Sequence, residues 1–290
     1  MAHKIFGFLI FLLFQVQIQN PDIEKAKRFF NDGNYVKAEK FLLGFLNDSP
    51  CNPEARELLG DARAHQKNWN GAIPVYKELM EGQEENADYH FKYAGALAMK
   101  VLERPKIQGV FFVAEIKEHF LKAARLDPNH VEVRWALLEL HLRLPPFLGG
   151  GKGPAQEYAL ELERISPVDG HLARGHLFEN LGNFREAETH YQRAVETGGS
   201  LHCFGKLSDL YLHKLRNPMK AIRTMEEALS RHGENSLRLQ IGRIAAAHRL
   251  IPDKARSHLE NYLLELSPAE ENTAKEAVAL LATLGTQEEQ

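Results

Sequence analysis

The sequence predicts an all-α chain, an array of about seven helix-turn-helix units followed by one further helix. Three observations carry this. A register residue recurs at Ala38, Ala72, Ile116, Ala155, Ala187, Ala221 and Ala255, with gaps of 34, 44, 39, 32, 34 and 34 residues. Within a unit the offsets are fixed: Gly175, Ala187, Tyr191 and Ala194 are matched by Gly60, Ala72, Tyr76 and Leu79, and by Ala26, Ala38, Leu42 and Phe45. The last three members of each set stand at i, i+4 and i+7, which places them on one face of a helix. Finally, Pro50, Pro128, Pro167 and Pro268 follow second helices, and Gly199 and Gly233 take that place in units five and six. Both residue types end helices.

Residues 1–19 precede the array. Lys4 is followed by an apolar run from Ile5 to Phe14 and then by Gln15, Gln17, Gln19 and Asn20. Such a run is too short to cross a hydrocarbon core, which takes about 20 residues. A cation before a short apolar stretch is the form of a secretory signal, so the chain is expected to be exported. The alternative is an uncleaved segment in which residues 5–14 anchor the protein to a membrane.

The array is assigned to residues 20–268. Unit one has its turn at Gly33-Asn34-Tyr35 and unit two at Asn68-Trp69-Asn70. In unit three, helices near 87–102 and 109–126 are separated by an insert, 103–108, that contains Pro105. Unit four carries a second insert, 144–153, rich in proline and glycine. Unit five is uninterrupted. Units six and seven hold one extra residue in their turns, near Arg216-Asn217-Pro218 and Leu250-Ile251-Pro252. The small residues Gly60, Gly175, Ser208 and Gly242 fall inside first helices, where Gly costs about 1 kcal/mol against Ala. A close neighbour is therefore expected at each. Residues 269–290 are read as a capping helix, covering the last unit's apolar side, and a polar tail.

Residues 172–194, LARGHLFENLGNFREAETHYQRA, contain a Gly-x-Phe turn followed by Glu-Ala. This segment resembles the tetratricopeptide repeat (TPR) family, and the resemblance extends over roughly 21 to 268. It implies a right-handed α-solenoid whose first helices line a concave groove, used for protein–protein interaction without catalysis. It also implies which positions face that groove: three before, one after, and four to five after the small residue of each first helix. Carried onto this sequence, the partner-binding candidates are Phe91, Arg134, His141, His176, Asn180, Asp209, His213 and Arg243. The chaperone-binding subfamily uses a Lys-Asn set at such places, which this chain lacks. The expected partner is therefore an extended peptide or a helix of another protein.

Composition narrows the rest. With 44% hydrophobic and 26% charged residues and a net charge of −3, the chain has no basic stripe to neutralise phosphates, which disfavours nucleic acid. Cys51 and Cys203 lie in distant units and are read as free thiols. An exported protein without disulfides fits a bacterial periplasm, and the resemblance to exported bacterial TPR proteins points the same way. Gly149-Gly150-Gly151-Lys152-Gly153 lacks the Ser/Thr and the preceding strand of a phosphate-binding loop, and reads as an inter-helix turn. Lys152 and the loop amides remain candidates for holding an anion at the following helix start. The 14 histidines show no metal-ligand spacing and are read as surface or groove residues. No nucleophile motif is present, and neither a cofactor nor an enzyme activity is expected. Two other readings stay open: a periplasmic small-ligand-binding component associated with a transporter, and a membrane-anchored envelope assembly factor.

Overall fold

The computed structural model describes residues 21–103, 106–266 and 271–286. The leader read at 1–19 lies outside them, as does part of the 103–108 insert. Every regular element among the described residues is a helix, and the chain divides into two compact bodies, Met1–Leu126 and Asp127–Gln290.

The first body holds three helix pairs: α1 (Pro21–Asn31) with α2 (Tyr35–Asp48), α3 (Pro53–His65) with α4 (Trp69–Gly82), and α5 (Ala87–Leu102) with α6 (Lys106–Leu126). Each helix packs on its neighbours in sequence, the contact pattern of a helical solenoid. Asparagine starts most of these helices. The side chains of Asn34, Asn52, Asn68 and Asn86 accept hydrogen bonds from the amides of Lys37, Ala55, Gly71 and Tyr89. Such a cap is worth about 1 kcal/mol because it satisfies an amide that has no partner within the helix.

The second body contains α7 (Val131–Arg143), α8 (Lys152–Ile165), α9 (Pro167–Asn180), α10 (Phe184–Thr197), α11 (Leu201–Asp209), α12 (Pro218–His232), α13 (Ser236–His248), α14 (Pro252–Leu264) and α15 (Glu271–Thr286). Helix α15 rests on α13 and α14, with Ala277 and Leu284 fully buried.

The recurring small residues are explained by what faces them. A methyl group added at Gly60 would stand 2.6 Å from the Tyr76 ring, and one at Gly175 would stand 2.5 Å from Tyr191. At Gly242 it would meet Leu259 at 2.4 Å. The large residue of each second helix thus fills the notch left in its own first helix. The register alanines Ala38, Ala72, Ala187, Ala221 and Ala255 are all fully buried.

The interruptions resolve differently from a simple loop. Helix α6 starts at Lys106, before the start near 109 read from the sequence. It can do so because Gly109 has no side chain: a methyl there would lie 2.6 Å from Val101 of α5. In the second insert, Pro146–Leu148 form one 3₁₀ turn, and Gly149 and Gly151 take φ of +84° and +132°. The extra residue of unit six is absorbed inside the first helix, where Leu210–Lys214 widen into a π turn. That of unit seven is absorbed in the connection, where Arg249 and Ile251 take φ of +54° and +41°.

Candidate partner-binding groove

The groove positions of the first body are partly consumed by the fold. On α3, Glu57 and Asp61 receive Lys92 of α5, whose Nζ lies 2.6 Å from Glu57 and 2.8 Å from both Asp61 oxygens. The Tyr76 hydroxyl donates to the same Asp61 at 2.8 Å. Burial would lower the Lys92 pKa, but the Asp61 and Glu57 carboxylates outweigh it and hold it above its ordinary value. Phe91 is half-buried against Phe120, at 6.0 Å between ring centroids. Beside it Gly95 faces open space, and Met99 is 44% exposed.

In the second body, two candidates turn out to be internal. Arg134 is only 5% exposed, with Nη1 donating to the Asp127 carbonyl at 2.8 Å and Nε 3.3 Å from Glu161. His141 is 4% exposed, stacked on Tyr158, with Nδ1 2.7 Å from the Gly149 carbonyl. It therefore pins the glycine-rich loop. The amides of Gly149, Gly150 and Gly151 donate to the carbonyls of Pro146, Pro145 and His141. Those three amides are not free to cradle an anion, and Lys152 stands exposed at the start of α8. His90 and His130 are also buried, so the surface placement expected for the histidines fails at these positions and at His141. The reason is local. His90 bonds the Glu84 carbonyl, and His130 caps α7 by accepting from the Val133 amide.

The remaining candidates gather on α7, α9 and α11. Glu139 of α7 meets His176 of α9 and also Arg143, and these contacts hold its carboxyl down at about 2. Asn180 donates to the His176 carbonyl at 2.9 Å, and its Nδ2 lies 3.1 Å from His176 Nε2, the nitrogen that donates to Glu139. Trp135 lies 6.3 Å from the His176 ring and donates to Asp169 at 2.9 Å. Glu179 accepts from the Tyr191 hydroxyl at 2.9 Å, and the charges of Asp209 and Glu139 also act on that hydroxyl. Acids from three successive first helices thus bear on one tyrosine, Glu179 by a hydrogen bond and Asp209 and Glu139 by charge. Of these, Asp209 is exposed and forms no ion pair among the described residues; His213 on the π turn is exposed as well. Gly205, one turn before Asp209, leaves open space beside it. Arg243 is committed elsewhere, to a two-pronged pair with Glu276 of α15 at 2.6 and 2.7 Å.

Glu139 and Glu179 were not among the sequence candidates. Glu139 stands two residues after Leu137, the small position of its unit, and so falls outside the offsets; Glu179 stands four after Gly175, next to Asn180 and within them. An open hollow of about 520 Å³ on α1 and α2, lined by Phe29, Phe41, Phe45, Lys25 and Lys40 among others, includes none of the candidates. Among the described residues no helix is long and apolar enough to cross a membrane, and no three metal-ligating side chains cluster.

Comparison with known proteins agrees with this geometry. Residues 168–197, which span α9 and α10, match the tetratricopeptide repeat family model. The fold is similar to a tetratricopeptide repeat protein from Parabacteroides merdae, at 17% identity and TM-score 0.51, over 91% of this chain and 97% of that one. It is also similar to human IFIT1, solved as a dimer with m7Gppp-AAAA, at 16% identity and TM-score 0.52, over 92% of this chain and 67% of that one. Yeast Tom70 gives 12% identity and TM-score 0.52, and this chain spans 60% of its length. The comparison with curated proteins found no match.

Proposed function

We propose that this tetratricopeptide-type array is a non-catalytic interaction scaffold that holds an extended peptide or helix of a protein partner along α7, α9 and α11. The observation that supports it is the joint action of Glu139, Glu179 and Asp209 on the Tyr191 hydroxyl, with Asp209, Asn180 and His213 left exposed and open space at Gly205, one turn before Asp209. Glu139 and Glu179 are already engaged by His176, Arg143, Lys214 and Tyr191, so Asp209 is the carboxylate available to a ligand. A partner segment carrying Lys or Arg fits this best, since an exposed unpaired carboxylate attracts a cation and the gap at Gly205 admits its stem. Selection from a random peptide library on the full chain tests the reading. Enriched peptides should be rich in Lys or Arg and should lose about tenfold or more in affinity on Asp209→Lys, a change of about 1.4 kcal/mol. Equal binding to the two proteins would overturn it.

Export is proposed with it, on the strength of Lys4 and the Ile5–Phe14 run. The mature product is expected to begin between Gln15 and Asn20, and an intact mass that includes Met1–Phe14 refutes cleavage.

A further inference from the structure

Two histidine pairs occupy the same place in two different repeats. In repeat three, His90 of α5 faces His119 of α6 with Nδ1 atoms 2.8 Å apart and rings stacked at 5.1 Å. In repeat five, His171 of α9 faces His190 of α10 with Nδ1 atoms 3.5 Å apart. Both first partners stand four residues before the small position (Ala94, Gly175), and both second partners stand three after the register residue (Ile116, Ala187). We propose that these pairs make repeats three and five acid-sensitive hinges between their own two helices.

Proton placement supplies the mechanism. A carbonyl can only accept, so the 2.9 Å contact of His90 Nε2 with the Glu84 carbonyl puts a proton on Nε2. His90 Nδ1 is then a bare acceptor, and the bond across the pair comes from the N–H on His119 Nδ1. A first added proton goes to His119 Nε2 and leaves that bond in place. A second, on His90 Nδ1, sets two N–H groups head to head between the helices and drives the rings apart. The surroundings offer mixed compensation. Tyr93 lies edge-on to His119; Glu115, Glu118 and Lys122 act on it from α6, and Glu81 of α4 acts on Tyr93. Burial, then the neighbouring His90, hold His119 below its ordinary range. Around the second pair, Phe178 stacks on His190, Arg174 and Arg193 oppose a further positive charge, and Glu163 of α8 and Glu196 favour it. Burial and Arg174 bring His190 down to about 4. Closed repeats therefore bind fewer protons than opened ones from the ordinary value of 6.5 downward, and acid favours opening.

Hydrogen exchange of the full chain, expressed as protection factors at pH 7 and pH 4.5, tests this. In α5, α6, α9 and α10 protection should fall at least tenfold more than in α3, α4, α13 and α14. A uniform fall, or none, overturns the proposal. His119→Gln with His190→Gln should remove the excess loss, whereas His248→Gln, exposed at the end of α13, should leave it intact. Proton NMR of the unmodified chain gives a reading independent of any variant's folding: a His190 ring titrating near 6.5 also overturns it.

Discussion

Lys67 occupies a backbone position that other repeats give to glycine. It stands five residues before Ala72 with φ of +58°, as Gly33 stands before Ala38 (+71°) and Gly182 before Ala187 (+76°); Arg216 before Ala221 has +52°. A left-handed backbone costs a residue with a Cβ about 1–2 kcal/mol, partly offset by glycine's greater freedom when unfolded. Lys67→Gly is therefore expected to raise stability by about 0.5–1 kcal/mol in urea titrations, and Gly182→Ala to lower it by about 1. The notch at Gly175 is more demanding. Its missing side chain is replaced by the Tyr191 ring, so Gly175→Leu should cost about 1–3 kcal/mol or more by overpacking, as should Ala187→Leu. Denaturant midpoints near the parent value would contradict the register. At this scale the fold was legible because a tight contact restricts residue type. The buried histidines were not, since a carbonyl that accepts from an imidazole leaves no mark in the spacing of residues.

Among elements, α15 shows how unequal contacts can be. Arg243 and Glu276 form a close pair, but both are nearly half exposed, and such surface pairs contribute about 0–1 kcal/mol. Leu284 is fully buried, and truncating a buried leucine costs about 2–5 kcal/mol. Arg243→Ala should accordingly shift thermal unfolding little, and Leu284→Ala several-fold more; the reverse order would contradict the packing of α15 on α13 and α14. The helix pairs themselves were readable from the period of 34, and so was the break in the repeat between α7 and α8. What happens inside an insert was not. The early start of α6 depends on Gly109 meeting Val101, and the closure of the glycine loop depends on His141 reaching Gly149. One joins two helices and the other a helix to a loop, and periodicity along one helix encodes neither. For the same reason the acidic set on α7, α9 and α11 was only partly anticipated: Asp209 was named from its offset, but its neighbours depend on how three helices stack.

Over the whole chain, one polar motif recurs in both bodies. Tyrosine hydroxyls donate to carboxylates at Tyr76–Asp61, Tyr93–Glu115, Tyr191–Glu179 and Tyr211–Glu188. Burial, followed by these acidic partners, raises all four phenols, Tyr211 to about 12. The folded state therefore prefers the neutral phenol. That stability is fully present below the ordinary value of 10.0 and is lost as pH rises beyond it. With eight tyrosines in the chain, absorbance at alkaline pH should climb mainly in one step that coincides with unfolding. A smooth rise centred near pH 10 with intact helicity would refute the shared motif. Global readouts of this kind suit a repeat protein, in which each unit contributes a similar increment and its neighbours set the remainder.

The π turn at Leu210–Lys214 has a consequence for how such a chain can change over generations. Repeats six and seven each carry one residue too many, yet Ser208 and Gly242 still find their second helices, because one surplus is wound into a helix and the other into a left-handed turn. Each repeat thus corrects its own phase before handing the chain to the next. An array that cancels errors locally can gain or lose single residues without accumulating drift, and its length is free to vary while its pitch is not.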